Sequence, residues 1–217
     1  MEKWPIVTFI LIFINLAVFL FTYDPYTNQV FDWVANDFGL IPQSLSLRIY
    51  TLITHMFIHT DIIHFIGNIL MLSIVGLATE HKIGSLEFIL FYFFSGLCVI
   101  PFAFLMEYLI GETFVLIGAS GAIFGIMFLA GAIAGWEEVP VFLIPLLNII
   151  AIPYILVTLK NVKVPLFVGI VFYFLLNVLL MFYNLPYSIS EVAHLGGIFG
   201  GMVAFWLIPT KETETKT

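Results

Sequence analysis

The residue best placed to do chemistry is Ser120, which lies in the apolar, glycine-rich stretch Val115–Gly125. No charged residue occurs between Glu112 and Glu137, and this longer charge-free interval is sufficient to cross a bilayer. A serine at this place has two interpretations. It packs as one small residue among others, because small residues let membrane helices approach closely. Alternatively, it is a nucleophile at a helix start, which requires a base elsewhere in the chain.

Three other polar side chains lie within predicted spans, namely His64, Asn68 and His194. Polar residues inside a membrane are functional hypotheses by default, although a single buried histidine is more often bonded to a backbone carbonyl. His64 and Asn68 are four residues apart and therefore share one helix face. A neutral His194 has the chemistry to take the proton of Ser120 and later to protonate a leaving amine.

The oxyanion that such an attack creates needs hydrogen-bond donors in a site of low dielectric. Free N–H groups at the first turn of the Ser120 helix are available by helix geometry, and the Asn68 amide and the His64 ring supply others. Glu191 is the one acidic residue close enough in sequence to act as a third member beside His194. A solvated charge at a helix start is the simpler interpretation of Glu191.

The glycine spacing predicts that the helices of Ser120 and His194 touch. Gly121 and Gly125 are four residues apart, and Gly197 and Gly201 follow His194 at three and seven residues. Small residues at this spacing form one stripe and permit close backbone approach. Packing alone explains the stripes equally well, but it does not explain a serine and a histidine at their matching ends.

Composition sets the class of protein. Of the 217 residues, 62% are hydrophobic and 10% are charged, with a mean hydropathy of +1.12. We therefore predict an all-α, polytopic membrane protein whose surroundings are the lipid bilayer. The net charge of −7 comes without a basic patch, so no nucleic acid is expected as a partner. The single cysteine, Cys98, excludes a disulfide framework.

The apolar windows predict a single membrane domain over residues 1–217, with six helices. These are a first helix at 4–22 and further helices at about 62–79, 86–106, 119–136, 164–183 and 189–208, with a long outer loop at 23–49 and a polar tail at 211–217. The loop carries three aspartates that are too costly at membrane depth. Three prolines interrupt the apolar window at 139–159, and there we expect extra re-entrant or interfacial structure between helices four and five; whether it spans, re-enters or lies on the membrane stays open.

Charge placement orients the six helices. With a cytoplasmic N-terminus, six spans place every lysine on the inside and Arg48 on the outside, as the positive-inside rule requires. Seven spans would place Lys211 and Lys216 outside. Six spans also bring His64, Ser120 and His194 to one depth near the outer face, and they leave both termini in the cytoplasm.

The motifs Gly118-Ala119-Ser120-Gly121, His64-x-x-x-Asn68 and His194-x-x-Gly197-x-x-x-Gly201 resemble those of rhomboid intramembrane serine proteases. His55, His59 and the turn at 80–85 are also similar to family positions. The resemblance implies a serine endopeptidase in a prokaryotic cell membrane. Its Ser–His dyad would cleave peptide bonds in or near transmembrane segments of other proteins, without metal or cofactor.

By the same resemblance, Ser120 is the nucleophile, His194 is the base, and His64 and Asn68 stabilise the oxyanion with support from Gly118 and Gly121. Two departures are visible. Phe124 replaces a tyrosine often found four residues after the nucleophile, and Trp33 and Arg48 are too far apart to form the Trp-Arg pair of many bacterial members. The separation of Ser120 from His194 is also longer than in compact members.

Three other functions are weighed against this one. A zinc protease is disfavoured, because His55-x-x-x-His59 has ligand spacing but Met56 stands where the base glutamate is needed. A transporter would show internal repeats or a charged midplane site, and neither is found. A catalytically weak rhomboid-like protein that binds or chaperones membrane proteins is the remaining alternative, although its defining loss of serine or histidine is not seen here.

Overall fold

The computed structural model describes residues 4–135, 138–140, 163–165, 167–168, 171–172, 175, 178–179 and 189–207. The helices are α1 (Ile6–Thr22), α2 (Asp32–Phe38), α3 (Thr51–Thr54), α4 (Ile62–Met71), α5 (Leu77–Ile83), α6 (Ser85–Leu97), α7 (Val99–Ile110), α8 (Ser120–Ala134) and α9 (Ile189–Leu207). The strands are β1 (Tyr23–Asp24), β2 (Gln29–Val30), β3 (Glu138–Pro140) and β4 (Lys163–Pro165).

Three stretches of helix in the described residues are long and apolar enough to cross a membrane. The first joins α4 to α5 through a π-helical turn at Leu72–Gly76 and covers Ile62–Ile83. The second joins α6 to α7 and covers Ser85–Ile110, and the third covers Ser190–Leu207. Helices α1 and α8 are apolar but shorter, with 17 and 15 residues. The protein is therefore a largely helical, multi-pass membrane protein.

Helix α8 forms the centre of the bundle. Its residues are apolar on every side, as expected of a helix enclosed by others, and ten of its fifteen residues are buried. It packs against α6 and α9, and its Ile123 and Leu129 join Phe88 and Leu72 in the main core. The large apolar side chains on the outside of the bundle, such as Trp206, which is 85% exposed, are suited to lipid contact.

The outer loop is held against the segment that leads to Ser120. It begins with the hairpin β1–β2, continues through α2, and then forms an antiparallel bridge in which Leu40 and Leu116 exchange hydrogen bonds of 2.9 and 2.8 Å. Gly39 is required beside this bridge, because a side chain there would collide with Val115. The loop therefore fixes the backbone that precedes the serine.

The start of the fifth predicted helix is corrected by the structure. The sequence predicts a helix from about residue 164, but Lys163–Pro165 form β4, which pairs with β3 in the register Val139↔Val164. Pro165 disfavours helical geometry at the residue before it, so Val164 is extended. Residues 167–168, 171–172, 175 and 178–179 are helical. The predicted re-entrant segment, except its first residues in β3, and the tail at 211–217 lie outside the described residues.

A buried carboxylate, that of Glu80 in the first turn of α5, joins three elements. One of its oxygens accepts from Val7 N–H at 2.9 Å and the Ser85 hydroxyl at 2.6 Å. The other accepts from Thr8 N–H and the Thr8 hydroxyl, both at 2.7 Å. We call these four residues the Glu80 junction. It ties the starts of α1 and α6 to α5.

Candidate active site

The site is built around Gly118, two residues before Ser120. Gly118 has φ of +125°, a backbone conformation that side chains disfavour, and its N–H donates to the His55 carbonyl at 2.8 Å. A Cβ at this position would lie 3.0 Å from His64 Nε2 and 3.7 Å from Ser120 Oγ. The absent side chain therefore leaves a small space that the imidazole of His64 and the hydroxyl of Ser120 both face.

His64 lies in the first turn of α4 and is held from both sides. Asp61 caps the helix, because its Oδ1 accepts from the N–H groups of Ile63 and His64, both at 2.9 Å. One turn further on, Asn68 donates through Nδ2 to the His64 carbonyl at 2.9 Å. A side-chain amide carries two N–H hydrogens, so the second hydrogen of Asn68 is still available. The shared face predicted for His64 and Asn68 is seen in the structure.

The imidazole of His194 stacks on the ring of Phe124, with 4.0 Å between the centroids and an interplanar angle of 6°. Phe124 lies one turn after Ser120 on α8, so the stack holds His194 beside the first turn of that helix. The tyrosine hydroxyl that Phe124 lacks is not needed for this contact.

Glycine makes the approach of α9 to α8 possible. A Cβ at Gly197 would collide with the Gly121 carbonyl, and one at Gly201 would collide with the Gly125 carbonyl. A Cβ at Gly125 would in turn lie 2.7 Å from the Gly197 carbonyl oxygen. The two stripes predicted from the spacing thus meet backbone to backbone. The contact therefore brings together the ends of the two helices that carry Ser120 and His194.

Two further histidines, His55 and His59, contact the residues of the site. His55 is buried, and its Nδ1 donates to the Thr51 carbonyl at 2.6 Å; burial lowers the pKa of His55 to about 4. Burial, followed by the nearby His64, lowers the pKa of His59 to about 3. The His59 ring meets the His64 ring edge-on, with centroids 5.2 Å apart. Both supporting histidines are therefore neutral at ordinary pH.

Other residues singled out in the sequence lie apart from these contacts. Glu191 accepts from the neighbouring Ser190 hydroxyl at 3.0 Å, which fits a charge at a helix start better than a third catalytic member. Arg48 pairs with Asp37 at 3.3 Å on the exposed outer loop.

Two residues that matter to the geometry were not predicted from the sequence. Thr60 and Asp61 immediately precede α4. The Thr60 hydroxyl donates to the Asp61 carboxylate and also contacts the imidazole of His64. The signal was present, because an aspartate before an apolar helical run is a typical N-cap. Only the folded turn, however, brings the Thr60 hydroxyl to the His64 ring.

The fold and the site together define a class: a polytopic helical membrane protein in which Ser120 and His64 lie beside Gly118, and His194 stacks on Phe124 one turn after the serine. Sequence comparison agrees with that class. The model of the Rhomboid domain matches residues 46–211. The chain is also 26% identical over 161 residues to RHOMBOID-like protein 7 of Arabidopsis thaliana, and the alignment covers 74% of this chain but only 43% of that relative. The chain belongs to the rhomboid family.

Proposed function

We propose that the chain is an intramembrane serine endopeptidase that cleaves transmembrane proteins in or near their membrane spans. The observation that carries this function is the geometry around Gly118, where Ser120 Oγ and His64 Nε2 face the same small space. The stack of His194 on Phe124, one turn from Ser120, supplies the base. The rhomboid family match supports the same activity.

In the proposed reaction, Ser120 Oγ bonds to the carbonyl carbon of the scissile peptide while its proton passes to His194. The carbonyl oxygen becomes an oxyanion, which the first-turn N–H groups of α8, the second hydrogen of Asn68 and the His64 ring stabilise. Collapse of this intermediate breaks the C–N bond, and His194 protonates the leaving amine. Water then attacks the ester and gives a proton to His194. As the bond between the acyl carbon and Ser120 Oγ breaks, His194 passes this proton to Oγ, which releases the acid and restores the serine hydroxyl.

We further propose the surroundings in which this site works. Six spans with both termini in the cytoplasm, in a prokaryotic cell membrane, place the site near the outer face. The charge distribution supports this orientation, because Arg48 lies on the outer loop and the lysines fall on the opposite side in the six-span arrangement.

The test is cleavage of a single-span substrate by the purified chain reconstituted in lipid. Ser120→Ala is expected to lower the cleavage rate by about 10³-fold or more, because the remaining groups cannot form the acyl-enzyme. Ser73→Ala is the matched control, since the Ser73 hydroxyl bonds to the carbonyl of Ile69 on its own helix at 2.7 Å. Equal cleavage by wild type and Ser120→Ala would exclude the mechanism. Substrate binding without cleavage by the wild type would favour the alternative of a rhomboid-like binding module.

A further inference from the structure

A chain of hydrogen bonds leads from Asp61 through Thr60 to the site. The Thr60 hydroxyl lies 2.8 Å from Asp61 Oδ2 and 2.9 Å from His64 Nδ1. The opposite nitrogen of the ring, Nε2, faces the space at Gly118. A neutral imidazole carries its hydrogen on one nitrogen and accepts at the other. A hydrogen bond that keeps the hydrogen of His64 on Nδ1 therefore leaves Nε2 as an acceptor.

The positions of the hydrogens along this series of hydrogen bonds follow from which groups are able to donate. Burial raises the pKa of Asp61, but hydrogen bonds from the His64 N–H, the Thr60 hydroxyl and the Ile63 N–H outweigh burial and hold it below its usual range. An ionised Asp61 only accepts, so it takes the single hydroxyl hydrogen of Thr60. The Thr60 oxygen is then an acceptor, and His64 Nδ1 must bring the hydrogen. The Thr60 N–H is 3.4 Å from Nδ1, too far to compete.

We propose that Asp61 and Thr60 are positioning residues that keep the hydrogen of the neutral His64 ring on Nδ1. As a result, Nε2 becomes a donor toward the reacting carbonyl only when the ring takes up a second proton from water, with Asp61 as its counter-ion. This assignment rests on the oxyanion role proposed for His64 above. In this step one N–H bond forms at Nε2 and one O–H bond of a solvent hydronium ion breaks, so the ring carries the positive charge before the substrate reacts.

The charged and titratable groups around His64 favour Asp61 as that counter-ion. Among the described residues, His59 faces the ring from the preceding turn and is neutral because burial, and then His64 itself, lower its pKa to about 3. His194 on α9 is near enough for its charge to couple to that of His64. Asp61 is the acidic group that bonds within this cluster.

The first test measures which nitrogen of the His64 ring carries the hydrogen. In Asp61→Asn the capping oxygen is retained, but an NH₂ group replaces Oδ2 and donates to Thr60. The Thr60 hydroxyl then donates to Nδ1, so the ring hydrogen moves to Nε2. Nitrogen-15 NMR of the histidine-labelled chain in bicelles, with the His64 signals assigned from His64→Gln, should show protonated Nδ1 in wild type and protonated Nε2 in Asp61→Asn. A neutral wild-type ring protonated on Nε2, or no change in Asp61→Asn, would overturn the assignment whether or not the protein is a protease.

The second test is the pH dependence of cleavage. The wild-type kcat should fall on the alkaline side as His64 loses its second proton, whereas Asp61→Asn should have a lower maximum and a flatter alkaline side. Thr60→Val should lower kcat about 10-fold with little change in KM, and Thr60→Ser should restore it.

Matched controls come from a second threonine–aspartate pair, in which Thr27 donates to Asp24 at 3.0 Å on the exposed loop. Thr27→Val and Asp24→Asn should keep the wild-type profile. If Ser120-dependent cleavage is present but Asp61→Asn and Thr60→Val match wild type, Asp61 and Thr60 do not position His64 for the reaction and the proposal is wrong. If the wild type does not cleave at all, the proposed function fails and the NMR result alone decides the position of the hydrogen.

Discussion

The Glu80 junction and the candidate active site are both clusters of polar groups inside an apolar bundle, and they differ in how far those groups are satisfied. Each oxygen of Glu80 accepts two hydrogen bonds, and its side chain is 2% exposed. At the site, in contrast, His64 Nε2 and Ser120 Oγ lie side by side, 3.0 and 3.7 Å from the point where a Cβ of Gly118 would stand. Burial of a polar residue in a membrane protein therefore does not by itself indicate function. What indicates function is a serine hydroxyl and an imidazole brought together beside one glycine.

The largest effect is expected from the helix contact that holds the site together. Gly197→Ala places a methyl group against the Gly121 carbonyl, so α9 must move away from α8. A displacement of about 1 Å costs roughly 10²-fold in rate, and overpacking costs about 1–3 kcal/mol of stability. Cleavage rate and thermal unfolding in detergent measure the two effects.

Gly67→Ala is the control for this substitution, because a Cβ there meets nothing within 4 Å. It should leave activity unchanged and stabilise its helix slightly, by about 0.5–1 kcal/mol. Wild-type cleavage by Gly197→Ala would mean that the close approach of the helices is not what positions His194.

The supporting histidines should make the site region sensitive to acid. The folded-state pKa values of His55 and His59, about 4 and about 3, lie below the unfolded value of about 6.5. The unfolded chain therefore binds more protons below pH 6.5. The stabilisation from each neutral ring is complete above that pH and is lost as the pH falls toward 4, with about 2 kcal/mol per histidine gone by pH 5.

Unfolding midpoints in detergent between pH 8 and pH 5 check this sensitivity. His59→Gln should unfold more readily than wild type at pH 8 but show a shallower decline on acidification. His81→Gln, which changes an exposed side chain, should follow the wild-type curve. A wild-type midpoint that does not change between pH 8 and pH 5 would contradict the neutral assignment.

The Glu80 junction should behave in the opposite way to Ser120, the proposed nucleophile. Glu80→Gln replaces one oxygen by an NH₂ group that faces two donors, so two hydrogen bonds are lost and the free energy of unfolding should fall by about 2–3 kcal/mol. The kcat of the folded protein should stay near the wild-type value. Glu87→Gln, at an exposed position in the first turn of α6, is the control. A fall in kcat without a loss of stability would place Glu80 in the reaction and remove the contrast with the site.

The sequence predicted the parts of the molecule that depend on pattern. Apolar windows, glycine spacing and the polar residues within them predicted the membrane class, the pairing of α8 with α9 and the pairing of His64 with Asn68. It could not predict contacts that depend on distance in the fold, such as Gly118 beside His64, Leu40 beside Leu116 or Thr8 beside Glu80. These residues are separated by 54, 76 and 72 positions, and no local periodicity relates them. The start of the fifth helix differs from the prediction for a local reason, because Pro165 disfavours helical geometry at Val164.

The smallest effect is expected at Phe124, whose ring lies parallel to His194 at 4.0 Å. Phe124→Leu keeps an apolar side chain in the core but removes the aromatic face, so the imidazole gains freedom to turn away from Ser120. An aromatic stack contributes about 0.5–1.5 kcal/mol, which corresponds to a fall in kcat of about 2- to 10-fold. Phe124→Tyr keeps the face and should cleave at close to the wild-type rate. Equal rates for Phe124→Leu and wild type would show that the glycine contacts alone position His194, and a rate well above wild type for Phe124→Tyr would show that the missing hydroxyl limits this chain.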